Sequence, residues 1–140
     1  MAVFFHSEDI RFVFSQKLKH KQWIKRVIQR HKHTPGNLNF IFTSKDYLLK
    51  INQEYLNHTH HTDVITFDYS TEGVISGDIF IGIEQVRRNS ELLKVSFQEE
   101  LRRVIIHGVL HLIDFDDKDE AGRKIMREKE EEALTLWIED

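Results

Sequence analysis

Between Ser96 and Asp117 the chain reads SFQEELRRVIIHGVLHLIDFDD, and this stretch constrains the possible folds more than any other. Ser96 followed by Glu99 is a Ser-x-x-Glu capping box, which predicts a helix beginning at Phe97. Leu101, Val104, Ile105, Gly108 and Leu112 share one helical face, the core stripe. Ile106, Leu110 and Ile113 make the second half apolar on nearly every side, so that half is expected to be buried. His107 and His111 fall four apart beside the stripe, one above the other.

One helix offers two imidazoles to a single metal ion with this spacing, and Asp117 is placed to add an oxygen from the following turn. Two histidines and a carboxylate, with a fourth position left to water, form the pattern of a catalytic zinc site. The spacing alone does not decide the matter, because nine histidines in 140 residues make a His-x-x-x-His common by chance. Two buried imidazoles are satisfied either by a shared metal or by hydrogen bonds within a core.

Composition narrows the class. Apolar residues at 40% and charged residues at 31% are those of an ordinary globular protein, and a chain of 140 residues is expected to form one domain over residues 1–140. Without cysteine, disulfides and thiolate ligands are excluded. The apolar run in MAVFFHSEDI is too short for a signal peptide, and Val104–Ile113 is interrupted by two histidines and too short to span a bilayer. A soluble cytoplasmic protein with no membrane partner is expected. The net charge of −3 hides an asymmetry: Ile10–Lys45 holds nine Lys or Arg and no acid, whereas Asp114–Asp140 holds eleven acids against five bases. A basic first third suggests a local nucleic-acid footprint, or else a solvated basic helix face.

In chain order, Val3–His6 and Arg11–Phe14 read as short strands. Lys21–His31 reads as a helix burying Trp23, Ile24, Val27 and Ile28. Pro35-Gly36-Asn37 reads as a turn before a strand at Leu38–Phe42. A helix from Lys45 to about Leu56 should bury Leu48, Ile51 and Tyr55. The loop Asn57–Asp63 carries His58, His60 and His61, a second candidate for metal or RNA contact or simply a histidine-rich surface loop. Val64–Tyr69 and Val74–Ile83 predict an antiparallel hairpin. Three helices follow: Glu84–Leu93, the histidine helix, and a last one from about Asp119 to Trp137. This order predicts an α+β domain, with helices packed on a small mixed sheet of about four strands.

The segment HGVLHL with Asp117 resembles the YbeY family of bacterial metal-dependent ribonucleases, whose signature is His-Gly-x-Leu-His-Leu-x-Gly-Tyr-Asp-His. Further matching pieces stand in the family's order: TDVITF at Thr62–Phe67, SGDIFI at Ser76–Ile81 and MREKEEE at Met126–Glu132, so the likeness runs from about Leu38 to Trp137. The resemblance implies a zincin-like metal-bearing helix and one zinc ion held by His107, His111 and Asp117, with no small-molecule cofactor. It also implies hydrolysis of single-stranded RNA in 16S ribosomal RNA 3′-end maturation and ribosome quality control, with ribosomal RNA and the small ribosomal subunit as partners.

The chain departs from the family pattern at three places. Asp117 replaces a histidine ligand; aspartate is a competent zinc ligand, though a harder one that can admit other divalent ions. Asp114 replaces a helix-stopping glycine, and aspartate tolerates the left-handed conformation better than most residues; a shifted turn would make Asp116 the rival ligand. Leu56 stands where the family has an arginine thought to be functionally important, so a phosphate-clamping guanidinium is missing there. His58, His60 or Arg103 are the candidate phosphate contacts in its place, although Arg103 reads more readily as an ordinary solvent-exposed salt-bridging residue. Gly108 follows His107 where zinc proteases of the His-Glu-x-x-His type carry their general base, which disfavours a peptidase. Two other readings stay open: a ribosome assembly factor with a structural metal and no catalysis, and a metallohydrolase acting on another substrate.

Overall fold

The computed structural model describes residues 2–56 and 62–138. Four strands form one sheet in the order β1-β2-β4-β3, and five helices cover it. β1 (Ala2–Ser7) pairs parallel to β2 (Thr34–Thr43), and β2 pairs parallel to β4 (Val74–Gly82). β3 (Val64–Asp68) closes one edge antiparallel to β4, completing the expected hairpin through the turn at Glu72 and Gly73. The result is the α+β arrangement with a mixed four-stranded sheet that the element order predicts.

The helices are α1 (Lys17–Arg30), α2 (Lys45–Leu56), α3 (Ile83–Leu93), α4 (Phe97–Leu112) and α5 (Glu120–Leu134). α4 is the central helix. Its start follows the capping prediction, with Ser96 Oγ accepting from the Glu99 amide at 3.1 Å. Leu101, Val104, Ile105, Ile106, Val109 and Leu110 are buried, as the apolar periphery of its second half requires. Gly108 lets this helix lie close on the sheet: a Cβ there would meet Ile79 Cγ2 at 2.9 Å and Thr66 Cγ2 at 3.3 Å. The glutamate that a peptidase would place at this position has no room.

Several expectations need correction. Arg11–Phe14 forms no strand; it is an irregular segment that drops Phe14 into the core, where its ring centroid lies 4.5 Å from Phe5 and 4.9 Å from Phe42. The alternation of aromatics there reflects packing under the sheet rather than a ladder. Pro35-Gly36-Asn37 is not a turn but the bulged start of β2, where register slips between Pro35 and Leu38. A Cβ at Gly36 would lie 2.9 Å from the Ile75 carbonyl oxygen, so the glycine serves close strand approach. Tyr55 is exposed beyond the sheet with its ring edge toward Phe67, and Asn52 is buried beside Leu48 and Ile51 instead.

α1 begins one turn earlier than its apolar periodicity indicates, because His20 is a core residue. Its ring lies 4.4 Å from Phe14 and 4.6 Å from Trp137, with Nδ1 at 2.9 Å from the Gln16 carbonyl and Nε2 without a hydrogen-bond partner among the described residues. Burial, reinforced by the nearby cations Arg102 and Lys19, pushes its pKa down to about 4. The unfolded chain therefore binds a proton near the ordinary value of about 6.5 that the folded chain refuses. Stability is full above that value and falls as pH drops toward 4, by about 3 kcal/mol for this group. Urea unfolding between neutral pH and the acid limb should show this loss in wild type and a flatter profile in His20→Leu; parallel profiles would refute it.

Candidate metal centre

The second half of α4 and the turn after it bring three donors together. His107 and His111 project from successive turns of α4, and their Nε2 atoms lie 3.0 Å apart. Asp117 reaches both, with Oδ2 at 3.4 Å from His107 Nε2 and Oδ1 at 3.6 Å from His111 Nε2. The three ligand atoms lie within 4.8 Å of one another. A tetrahedral ion bound to N and O ligands at about 2.0–2.1 Å separates its donors by about 3.3 Å. The Nε2 pair lies just inside that value and the two Asp117 contacts, one from each oxygen, just outside it, so small side-chain adjustments suit this donor set to a zinc-sized ion.

Delivery of Asp117 depends on how α4 ends. Asp114 adopts φ +90°, with its amide donating to the His111 carbonyl and the Phe115 amide donating to the Leu110 carbonyl, both at 3.1 Å. These two bonds form a Schellman motif with Asp114 in the left-handed position. The chain turns back as it would with glycine there, at a steric cost that glycine avoids. Asp114→Gly should accordingly raise stability by about 1 kcal/mol, read as a higher urea midpoint with unchanged slope; an unchanged or lower midpoint would contradict it. Asp116, the rival ligand, is engaged elsewhere: its Oδ1 accepts from the Lys118 amide at 3.3 Å, and its backbone abuts the first turn of α5 at Gly122.

A second carboxylate lies behind the histidines. His107 Nδ1–H donates to Glu130 Oε2 at 2.5 Å, and Glu130, on α5, is buried. Glu130 Oε1 in turn accepts from Arg103 Nη1 at 3.1 Å. Arg103 is also forked onto buried Glu100, with Nε at 2.8 Å from Oε1 and Nη2 at 2.5 Å from Oε2. All three nitrogens of Arg103, a candidate phosphate contact, are thus engaged by carboxylates. His58 and His60, the other candidates, lie outside the described residues.

The electrostatics of the two imidazoles diverge. Burial pushes the His107 pKa down, but the Glu130 hydrogen bond and charge, with Asp117 behind them, outweigh it and leave the value raised. For His111, burial and then the neighbouring His107 lower the pKa, partly offset by Asp117. Independently of charge, Glu130 accepts at His107 Nδ1, so the neutral ring keeps its proton there and turns its Nε2 lone pair toward His111 and Asp117.

Sequence reasoning did not single out Glu130, which stands in the charged run MREKEEE. The missed signal is register: Met126, Glu130 and Ala133 are the buried residues of α5, so the glutamate occupies a core position at i, i+4, i+7 spacing. Glu100, four residues before Val104, is the same kind of charge on an apolar stripe.

The histidines open into a cleft of about 480 Å³ between α2, β3 and α4, lined among others by Leu56, Thr62, Val64, Thr66 and Lys118. Leu56 thus faces the site, and among the described residues that line it Lys118 is the cation. Among the described residues no helix is long and apolar enough to cross a membrane.

Comparison with known proteins agrees with the motif. The family model described as Endoribonuclease YbeY matches residues 5–137. A protein of that name from Flavobacterium psychrophilum is 47% identical over 129 residues, covering 92% of each chain. Another, from Parabacteroides distasonis, is 41% identical over 140 residues, covering 100% of this chain and 99% of the relative. Among solved structures, the solution structure of TM1509 from Thermotoga maritima superposes with a TM-score of 0.67 at 25% identity, covering 96% of this chain and 87% of the other.

Proposed function

This chain belongs to the Endoribonuclease YbeY family, and from that premise we propose that it is a metal-dependent endoribonuclease that cuts single-stranded RNA. The observation that carries the proposal is the face of three donors, His107, His111 and Asp117, spaced for one small divalent ion at the foot of an open cleft. Zinc is the ion we assign, bound once per chain, although an aspartate ligand also suits harder divalent ions. Such an ion supplies Lewis acidity, activating water and neutralising charge that develops on the phosphoryl oxygens.

The protein's own groups do the rest. His107 and His111 present imidazole lone pairs to the ion, while Asp117 brings a negative charge that favours holding it. An unpaired strand is the form of RNA proposed to enter the cleft, where Leu56 and Val64 offer apolar surface to its bases. Lys118 stands at the wall to meet a phosphate, and His58 and His60 are proposed as further phosphate contacts. Exposed Lys25, Arg30 and Lys32 extend basic surface along and beyond α1, a path for RNA backbone outside the cleft. By family membership the substrate is assigned as precursor 16S ribosomal RNA near its 3′ end, met on the small ribosomal subunit in the cytoplasm.

The test is substrate choice by the purified chain. One RNA sequence is offered single-stranded and as a duplex, beside ester and peptide substrates, with and without chelator. Chelator-sensitive cleavage of the single strand alone is expected. Absence of RNA cleavage by metal-loaded protein, or preference for another substrate class, would overturn the reading.

A further inference from the structure

We propose that Glu130 is the positioning residue of the metal centre, and that Arg103 and Glu100 exist to hold Glu130 in place. The inference rests on His107, His111 and Asp117 being the ligand set, and it concerns groups that touch neither ion nor RNA.

The argument begins with placement. Glu100, Arg103 and His107 occupy positions i, i+3 and i+7 of α4 and so share one helical face, while Glu130 comes across from α5. The bonds run in one line: Glu100 to Arg103 through two nitrogens, Arg103 to Glu130, and Glu130 to His107 Nδ1. Both carboxylates are buried, Glu100 at 1% and Glu130 at 4% exposure. Buried carboxylates are costly and are retained only where charge and hydrogen bonds compensate them. One guanidinium cannot compensate both. Asp117 adds a further carboxylate on the other side of His107, with Oδ2 at 3.4 Å from Nε2, so a cation held there offsets negative charge that Arg103 alone does not.

The second strand of the argument is the tautomer. An imidazole can bind an ion through Nε2 only if its proton sits on Nδ1 or is absent. Glu130 accepts at Nδ1, so it selects the neutral form whose Nε2 lone pair points toward His111 and Asp117. Metal-bound histidines habitually carry such a carboxylate behind them, which fixes the ring and raises its basicity. Arg103 anchors the other oxygen of Glu130 and so prevents the carboxylate from rotating away. The arginine that sequence reasoning offered as a phosphate contact is here a brace for the ligand shell.

Two measurements test this. Long-range 1H–15N correlation of the chelated chain, at a pH where His107 is neutral, reads its tautomer without any metal. The Nδ1–H form is expected in wild type, with loss of that preference in Glu130→Ala. Zinc affinity by chelator competition should fall about 10- to 100-fold in Glu130→Gln, which keeps the shape and an acceptor for Arg103. Glu131→Gln, removing an equal charge one residue away on the exposed side, should stay within about twofold of wild type. The Nε2–H form in wild type, or folded Glu130→Gln binding zinc as wild type does, would overturn the proposal. If wild type binds no zinc at all, the ligand-set reading fails, whereas the tautomer still reports on Glu130 by itself.

Discussion

His107→Ala is expected to lose both its bound ion and its RNA cleavage, with the rate falling about a thousandfold or more. Removing one of three protein ligands leaves only His111 and Asp117, too few to hold an ion firmly. Several kcal/mol of transition-state stabilisation then go with it, each 1.4 kcal/mol counting about tenfold in rate. The fold should survive, because His107 lies at the edge of the core stripe and Glu130 keeps Arg103 as its partner. Folding is checked by circular dichroism, metal by elemental analysis and rate on a defined single strand. The same preparation serves as the control for contaminating nuclease. Metal-dependent cleavage within tenfold of wild type would refute the role of this residue.

Trp23→Ala should produce the largest loss of stability, about 4 kcal/mol. Trp23 is fully buried on α1, packs edge-on against Trp137 at 5.5 Å, and donates its indole N–H to the Ala133 carbonyl at 2.8 Å. Truncation opens a cavity and removes the indole hydrogen bond from that carbonyl, which keeps only its backbone donors at the end of α5. For a domain of this size the melting temperature should fall by about 10–15 °C. Because α5 also carries Glu130, the variant should bind zinc more weakly even at temperatures where it remains folded. A loss under about 1 kcal/mol would mean that α1 does not brace α5 as described.

Where local chemistry determines structure, the sequence was readable. Ser96 and Glu99 marked the start of α4, and the apolar periphery of residues 104–113 marked its burial, because capping and helical periodicity act within a few residues. The hairpin of β3 and β4 followed from two β-branched runs around a glycine turn. The parallel pairing of β1, β2 and β4 was not legible, since strand order is set by contacts distant in sequence. His20 was left outside its helix and Glu130 was not singled out for one reason: a polar residue on an apolar stripe gives no periodic signal of burial, when partners make it part of the interior. Pro35-Gly36 misled in the opposite direction, because the residues that make turns also make bulges. Asp117 was legible as the third donor from its place in the turn after His111, although the family signature has a histidine there, and the left-handed Asp114 shows how the turn reaches it without the usual glycine.

The most direct test of the central claim is a zinc titration of the chelated wild-type chain, with bound metal and single-strand RNA cleavage measured on the same samples. Cleavage should be absent at the start, rise in proportion to bound zinc and level off at one ion per chain, with Asp117→Ala showing weak binding and little activity. Full-rate cleavage by the chelated chain, or an ion bound at unit stoichiometry in Asp117→Ala as in wild type, would contradict a catalytic centre built from His107, His111 and Asp117.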